Sequence, residues 1–437
     1  MSQWREAVLA DLCAAVNDGD WIETKDQSGT DYRLLQVSNI GVGQFRETGK
    51  YRYVTQATFD RLRCREVRPG MVLVARMPDP VGRAWFVKAL DDRAITSVDV
   101  AIVEPDPSLL DGRYCTYVLN SPQHLSETAV VASGTTRLRV TRKQLETRVL
   151  RVPDISTQHQ ISAVLGSFDD LIENNRRRAE VLDEMARAIY REWFVHFRYP
   201  GHDDAALVGS PLGPIPGGWG VEPVSAFAST ARNAVTAGPF GSKLGRKDYV
   251  ADGVPVIRGS NLRIGGGFDE RDFVYVSEEK ADDLRSSIAR RGDIVITQRG
   301  TLGQVGLIPM DSAYERYVLS QSQMKLTVGA KGSSPEFAFR QFSNAETTAR
   351  FIAQAMSSGV PHVNLTLLRG FQLLAPPSDL QTRFGAHVRN LDRHGWALRR
   401  QADHLVALRD LLLPKLVTGQ IDVSSLDLDA VMEGSLA

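Results

Sequence analysis

The hydrophobic pattern divides the chain into alternating β-rich and helical parts. Short apolar runs such as 71–75 and 85–90, separated by Gly, Pro and Asp, predict a mixed β-rich domain. After Pro153 the apolar residues instead recur at alternating steps of four and three, which predicts one long amphipathic helix. The same order then repeats, with strand-like runs such as 254–262 and 294–297 followed by a second helix of this kind.

The two predicted helices carry an apolar seam that each can bury against the other. Roughly 40 helical residues correspond to about 60 Å, which is longer than an ordinary core helix. We predict an antiparallel coiled coil; the alternative is that each helix packs on its own domain. The predicted seam positions are Ile161, Leu165, Phe168, Ile172, Asn175, Leu182 and Ile189 in the first helix, and Val388, Leu391, Leu398, Leu405 and Leu412 in the second. Asn175 either sets the helix register or tolerates a wet end.

The second half of the chain repeats the first. Residues 145–194 align with residues 368–417 without a gap, so that Pro153, Gln158 and Asp169 fall on Pro376, Gln381 and Asp392. In the β-rich parts, Asn39 matches Asn261 and Gly70 matches Gly292. Such a duplication predicts a pseudo-twofold molecule, which suits duplex DNA or a pair of identical subunits as its partner.

These patterns predict an α+β fold with two β-rich globular domains separated by two long helices that form an antiparallel coiled coil. The predicted boundaries are 1–153 for the first β-rich domain, 154–198 for the first helix, 199–376 for the second β-rich domain, 377–420 for the second helix and 421–437 for a tail.

Composition and charge narrow the function. Lys and Arg together number 52, as do Asp and Glu, so the formal net charge is zero and any DNA-binding face has to be local. The cysteines, Cys13, Cys64 and Cys115, have no zinc-site spacing and are predicted to be reduced and buried. The charged N-terminus does not resemble a signal peptide, and no apolar run is long enough to span a membrane. We therefore expect a cytoplasmic protein.

No motif predicts catalysis, a bound cofactor or a metal in this chain. Adenine methylation needs a polar residue followed by two prolines and an aromatic residue; the nearest string, Ala375–Ser378, lacks both the polar and the aromatic residue. The run 241–247 lacks the ending and spacing of a phosphate-binding loop. The histidines have no partner at ligand spacing.

The order of several sequence blocks identifies a family resemblance. IPGGWG, GPFGSKL, VPVIRGSNL, GDIVITQRGTLGQVG and LLAPPSDLQ, in this order, resemble the specificity (S) subunit of a type I restriction-modification enzyme. The first helix is similar to the central conserved region of those subunits. The resemblance spans essentially the full length of the chain.

The resemblance implies that each β-rich domain is a target-recognition domain that reads one half of a split sequence in double-stranded DNA. It implies a coiled coil that acts as a spacer, and two copies of a modification subunit that bind S-adenosylmethionine and methylate adenine. A restriction and translocase subunit would complete cleavage. This chain would be the non-catalytic reader.

Loop residues with side chains that can hold phosphates or read base edges are the candidate DNA contacts. They are Arg33, Ser38, Asn39, Arg76, Arg83, Arg137, Arg139 and Lys143 in the first domain, and Ser242, Lys243, Arg258, Asn261, Arg299 and Gln323 in the second. Asn39 and Asn261 are equally typical of structural turns. The basic run 137–143 is also typical of a solvated face. Arg76 is a doubtful equivalent of Arg299, because its strand lacks the continuation found at 297–300.

Arginines recur at matching places on both helices. Arg176, Arg177 and Arg178, with Arg399 and Arg400, either hold phosphates of the spacer DNA or pair with acidic neighbours. Two classes of function therefore stay open at this point: a DNA-reading scaffold that delivers methyltransferases, and a twofold coiled-coil adaptor that does not bind DNA.

Overall fold

The computed structural model describes residues 4–134, 137–202, 206–330, 332–356 and 362–423. Contacts divide the chain into two compact units: unit 1 comprises residues 1–175 with 401–437, and unit 2 comprises residues 176–400. The division passes through both long helices. Each unit therefore contains one β-rich domain and a part of each long helix. The predicted boundaries instead gave each helix and each domain a segment of its own.

The first β-rich domain contains nine strands and four short helices among its described residues. Its strands are β1 Arg5–Val8, β2 Cys13–Asn17, β3 Tyr32–Leu35, β4 Tyr53–Val54, β5 Val72–Ala75, β6 Ala84–Phe86, β7 Ala94–Thr96, β8 Val100–Pro105 and β9 Val149–Val152. Its helices are α1 Gln56–Leu62, α2 Gly112–Leu119, α3 Pro122–Val131 and α4 Arg142–Glu146. The long helix α5, Ile155–Phe194, follows.

The second β-rich domain follows the same plan. Its strands are β10 Leu207–Val208, β11 Ile215–Pro216, β12 Gly220–Pro223, β13 Val235–Ala237, β14 Tyr249–Val250, β15 Val254–Ile257, β16 Arg263–Ile264, β17 Val274–Val276, β18 Ile288–Arg290, β19 Ile294–Thr297, β20 Gln304–Leu307, β21 Arg316–Leu319, β22 Gln323–Leu326 and β23 Gln372–Ala375. Its helices are α6 Val224–Phe227, α7 Glu278–Asp283, α8 Pro335–Ser343, α9 Ala345–Met356 and α10 Leu365–Gly370, and the long helix α11, Ser378–Val417, follows.

The two domains share a core of sheet topology, to which the second domain adds β14, β16 and β18. An antiparallel sheet has the order β2-β8-β5-β6 in the first domain and β13-β22-β19-β20-β16 in the second. In a further sheet, β3 lies parallel to β7 and β15 lies parallel to β21. A two-stranded sheet closes each domain, β1 with β9 and β12 with β23. β5 and β19 are buried along their whole length, as their continuous apolar runs predict.

Matching residues start the two long helices in the same way. The Nε2 group of Gln158 donates to the carbonyl oxygen of Pro153 at 3.0 Å, and that of Gln381 donates to the carbonyl oxygen of Pro376 at 2.9 Å. Both glutamines are buried. Each proline therefore ends a strand, and the paired glutamine fixes the direction in which the helix leaves the domain.

The long helices run antiparallel within each unit. In unit 1, Ile161 and Leu165, near the start of α5, share a core cluster with Leu413 and Leu416, near the end of α11. In unit 2, the order is reversed: Tyr190 packs its ring 6.0 Å from that of Phe384. The same clusters contain sheet residues, so both interpretations of the helices hold: they pair, and they also complete the domain cores.

The predicted seam faces inward at every position. Ile161, Leu165, Ile172, Asn175, Val388 and Leu398 are buried, and Phe168, Leu182, Ile189, Leu391, Leu405 and Leu412 are half-buried. The register role of Asn175 stays a prediction. The alanines Ala179, Ala186 and Ala402 are also buried along this face, which permits close approach of the two backbones.

The remaining sequence predictions concern cysteines and membranes. The cysteines are free thiols; Cys64 and Cys115 are buried and Cys13 is half-buried, and burial raises the pKa of the Cys64 thiol to about 12. Within the described part of the chain, no helix is both long and apolar enough to cross a membrane.

The buried side chain of His124 is expected to make the stability of unit 1 depend on pH. Burial, with Arg148 nearby, lowers the pKa of His124 from 6.5 to about 4 in the folded state. The unfolded chain therefore binds a proton that the folded chain does not between these two pH values. We expect unfolding to become easier by up to about 3 kcal/mol as the pH falls from 7 to 4.

The measurement is urea unfolding at pH 7.0 and pH 5.0 for the wild type and for His124→Phe, which has no titrating group at this position. His159→Gln, which replaces a surface histidine of the same unit, serves as the control. An equal loss of stability at pH 5.0 in His124→Phe and in the wild type would contradict the role of His124.

Candidate nucleic-acid interface

In each domain, three loops meet where neighbouring strands of the main sheet end. β22 lies between β13 and β19 and is antiparallel to both, so the ends of β13 and β19 lie beside the start of β22. In the second domain these loops are residues 238–244, 298–303 and 320–322. In the first domain they are residues 18–23, 76–83 and 97–99. We call the surface that the three loops form in each domain the strand-end surface.

Glutamine side chains hold the loops of the second strand-end surface together. The backbone N–H of Gln298 donates to the carbonyl oxygen of Ser322 at 2.8 Å, and its Nε2 group donates to that of Gln321 at 2.6 Å. Gln321 in turn donates to the carbonyl oxygen of Leu244 at 3.1 Å. The three loops therefore form one bonded network.

Three of the predicted DNA contacts lie together on this network. Ser242 and Lys243 are exposed on the first of its loops, and Arg299 is exposed on the second. In the described ranges, neither Lys243 nor Arg299 has a carboxylate partner. Their N–H donors therefore remain available for phosphate oxygens or base edges.

Asn39 and Asn261 are corrected from DNA contacts to structural turn residues. Both are buried, and their Oδ1 atoms accept from the backbone N–H of Gln36 at 2.9 Å and of Arg258 at 3.0 Å. Their Nδ2 groups donate to carbonyl oxygens, that of Arg46 in the first domain. Because every polar atom is used inside the domain, neither side chain can reach DNA in this conformation.

Arg83 is also corrected to a structural role. It is buried, and it donates to the carbonyl oxygens of Val37 at 2.8 Å and Ile40 at 2.6 Å. Gln304 occupies the same place in the second domain and donates to the carbonyl oxygens of Gly259 and Leu262, both at 3.1 Å. An arginine and a glutamine thus hold the same turn in the two domains.

Arg76 and Gln323 are buried, and the doubt about Arg76 as the equivalent of Arg299 is confirmed, because the two positions differ by one residue. Ala75 pairs with Val100 and Thr297 pairs with Gln323, so Arg76 is the equivalent of Gln298. Arg76 is ion-paired with Asp18 and lies 4.0 Å from Asp99. Gln323 accepts from Ser320 inside the sheet. Neither is a direct DNA contact here.

The other candidates of the first domain differ in whether their side chains already have a partner within the domain. Arg33 uses both terminal nitrogens on Glu47, at 2.9 and 2.6 Å. Ser38, Arg137 and Lys143 are exposed. Arg139 is exposed and pairs with Asp99 at 2.8 Å, which places the basic run 137–143 beside the strand-end surface.

Arg258 and the helix arginines are placed differently from one another. Arg258 is half-buried and donates to the carbonyl oxygen of Asp272 at 2.6 Å. Arg176, Arg177 and Arg178 are exposed. Arg400 pairs with Asp311, and Arg399 lies over the ring of Trp396 at 5.6 Å. The matching arginines on the two helices therefore do not have matching environments.

A duplicated aspartate joins each domain to the helices. In unit 1, Asp169 accepts from the hydroxyl of Tyr117 at 2.6 Å and from Nη1 of Arg409 at 2.7 Å. Burial raises the pKa of the Tyr117 hydroxyl, so it stays protonated as a donor. In unit 2, Asp392 accepts from Arg340, which also donates to Asp183 at 2.6 Å. Each domain is thus tied to both helices of its unit.

The described residues contain no group of three or more His, Cys, Asp or Glu side chains that could hold a metal ion. The arrangement that the structure does offer is a pair of homologous surfaces, of which the second exposes Lys243 and Arg299 and the first carries carboxylates beside the basic run 137–143.

Two homologous β-rich domains, each packed with parts of both long helices, are also the plan of known proteins to which this chain is similar. The chain is 22% identical over 303 residues to the type I restriction enzyme MjaIX specificity subunit of Methanocaldococcus jannaschii, covering 68% of this chain and 66% of the relative. It is 24% identical over 211 residues to the HindI specificity subunit of Haemophilus influenzae, covering 45% and 42%. The matched segments thus span just under two thirds, and under half, of these relatives.

A solved structure extends the likeness to the whole fold. The type I restriction-modification S subunit from M. genitalium superimposes with a TM-score of 0.60 and 16% identity, covering 95% of this chain and 96% of that one. No protein-family profile matches the chain. The chain is thus a homologue of type I restriction enzyme specificity subunits and has their fold, which confirms the resemblance found in the sequence.

Proposed function

We propose that this chain is the DNA sequence-recognition subunit of a type I restriction-modification complex. Each strand-end surface reads one half of a bipartite target. One observation carries the proposal: the two domains share a backbone framework down to equivalent hydrogen bonds, yet present different side chains at the same ends of their strands. The exposed Arg299 stands where the first domain has Met77. Equal frameworks with unequal surfaces suit two different half-sites.

The partners follow from the same proposal. Two copies of a modification subunit bind S-adenosylmethionine and methylate adenine, while this chain has no catalytic role. Because the two long helices begin in the same way, the two units offer equivalent surroundings to two identical copies. A restriction and translocase subunit is a further partner, and the complex works in the cytoplasm. The adaptor alternative is not favoured, because the relatives are specificity subunits.

The test is to express the chain together with a type I modification subunit and to map N6-methyladenine across the host genome. We expect methylation at a two-part motif with a gap of fixed length. The control is the modification subunit alone, which should leave that motif unmethylated. The absence of any discontinuous motif in the presence of the chain would contradict the proposal.

A further inference from the structure

Both domains expose an aromatic side chain at the same place on the strand-end surface. Trp21 is 70% exposed and Phe240 is 64% exposed. Asn17 of β2 pairs with Ile102, and Ala237 of β13 pairs with Met324, so the loops that follow these strands are equivalent. The aromatic residue comes two positions after a glycine in both loops, Gly19-Asp20-Trp21 and Gly238-Pro239-Phe240.

The glycines bring each loop into close contact with the sheet. A side chain at Gly19 would overlap the carbonyl oxygen of Ser97, and one at Gly238 would overlap that of Ser320. The two serines are themselves equivalent, because the N–H of Ser97 donates to Leu35 at 2.8 Å and that of Ser320 donates to Ile257 at 3.0 Å. Only glycine fits such an approach, so the start of each loop is fixed.

Further hydrogen bonds hold the loops beside the aromatic residues. The N–H of Asp20 donates to the carbonyl oxygen of Thr96 at 2.9 Å, and the carboxylate of Asp20 accepts from the N–H of Arg65 at 3.0 Å. In the second domain, Gln321 donates to the carbonyl oxygens of Gly241 and Leu244. Trp21 and Phe240 therefore project from anchored loops, which lowers the entropic cost of using them in binding.

The charges around these residues favour a nucleic acid over an apolar protein surface. Lys243 and Arg299, which share the strand-end surface with Phe240, have no carboxylate partner in the part of the chain that the structure describes. In the first domain the surface also carries carboxylates, and these are paired with cations: Asp18 with Arg76, Glu23 with Lys25 and Asp99 with Arg139 of the basic run 137–143. Cations beside an exposed aromatic face suit a phosphate backbone with its stacked bases.

We propose that Trp21 and Phe240 are a matched pair of DNA-contact residues, each of which inserts its ring as a wedge between neighbouring base pairs of the half-site read by its own domain. This inference rests on the proposed function. Such a contact uses the faces of the bases and not their hydrogen-bonding edges, so it does not itself select a base sequence. The pair would thus anchor both domains on DNA in the same way, while other side chains distinguish the half-sites.

The test uses the full chain assembled with its modification subunits, and a duplex carrying the target found by methylation mapping. We expect Trp21→Ala and Phe240→Ala each to weaken binding roughly 5- to 100-fold. Phe240→Trp, which keeps an aromatic ring at this position, should bind the duplex as tightly as the wild type does. The controls are Val130→Ala and Met310→Ala, whose side chains are 82% and 67% exposed outside the strand-end surface; these should bind as the wild type does.

Salt dependence separates the aromatic contacts from the ionic ones. Phe240→Ala should leave the slope of log K against log salt unchanged, because no counterion is released at a ring. Arg299→Ala should reduce that slope by about 1. A change of slope in Phe240→Ala would overturn the stacking role.

The remaining outcomes separate this inference from the proposed function. If the wild-type complex binds its target and both alanine variants bind equally well, the inference is wrong and the proposed function stands. If the variants instead impair assembly with the modification subunits in the absence of DNA, the rings face protein and the inference is also wrong. If the wild-type complex shows no preference for any discontinuous target, both fail.

Discussion

Replacing Arg340 by leucine is expected to destabilise unit 2 by about 3–5 kcal/mol, because two inward-facing carboxylates lose their shared counterion. The Arg340 side chain is 2% exposed and bridges Asp183 on α5 and Asp392 on α11. Burial also raises the pKa of Asp392, which shows that this site disfavours an uncompensated negative charge. The measurement is urea unfolding of the full chain followed by circular dichroism.

Two further variants make this prediction specific. Arg393→Leu, which changes an exposed arginine of α11 in the same unit, should alter the free energy of unfolding by less than about 0.5 kcal/mol. Adding Asp392→Asn to Arg340→Leu should recover part of the loss, since Asp392 is the carboxylate left without a counterion, whereas Asp183 keeps its pair with Arg187 at 2.7 Å. A loss below about 1 kcal/mol in Arg340→Leu would show that the bridge does not stabilise unit 2.

Shortening both long helices together is expected to shorten the spacer of the DNA target by about three base pairs. The segments lie between two contacts, Asp169 with Arg409 in unit 1 and Ala179 with Arg399 in unit 2. These contacts enclose the same number of residues on each helix. Deleting residues 171–177 and 401–407 removes about 10 Å from each helix and keeps the seam in phase.

The paired deletion has two informative comparisons. Deleting residues 171–177 alone leaves the facing helix seven residues too long, so this variant should fail to pair its helices and should methylate no target. Asn174→Gln, an exposed change that keeps the length, should leave the target unchanged. Methylation mapping reads all three. Unchanged spacing in the paired deletion would disprove the helices as the ruler.

The helices and the duplication could be predicted because their signals are local or periodic. The four-and-three spacing marks the seam, and the matched pairs of Pro153 with Pro376 and Gln158 with Gln381 make the same contact in both copies. Such residues interact with near neighbours in the chain. Their structural meaning is therefore contained in short stretches of sequence.

The DNA-contact residues were harder to predict, because residue type alone does not tell a surface arginine from a buried one. Arg83 is buried because the fold brings it to two carbonyl oxygens more than 40 residues earlier in the chain. Residue type alone made Arg299 a doubtful equivalent of Arg76, whereas aligning Val72–Ala75 with Ile294–Thr297 matches Arg76 with Gln298. For Trp21 and Phe240 the sequence does contain a shared pattern, because each aromatic residue follows a glycine by two positions.

The most direct test of the central claim is the methylation map of a chimera with two identical domains. Residues 220–375 are replaced by residues 5–152, an exchange whose junctions fall in the equivalent two-stranded sheets, β1 with β9 and β12 with β23. If each domain reads one half-site and the duplicated sequence makes the two half-sites opposite in direction, as a pseudo-twofold molecule requires, the methylated target becomes an inverted repeat of the first half-site. A methylated target that still contains the second half-site would contradict the account.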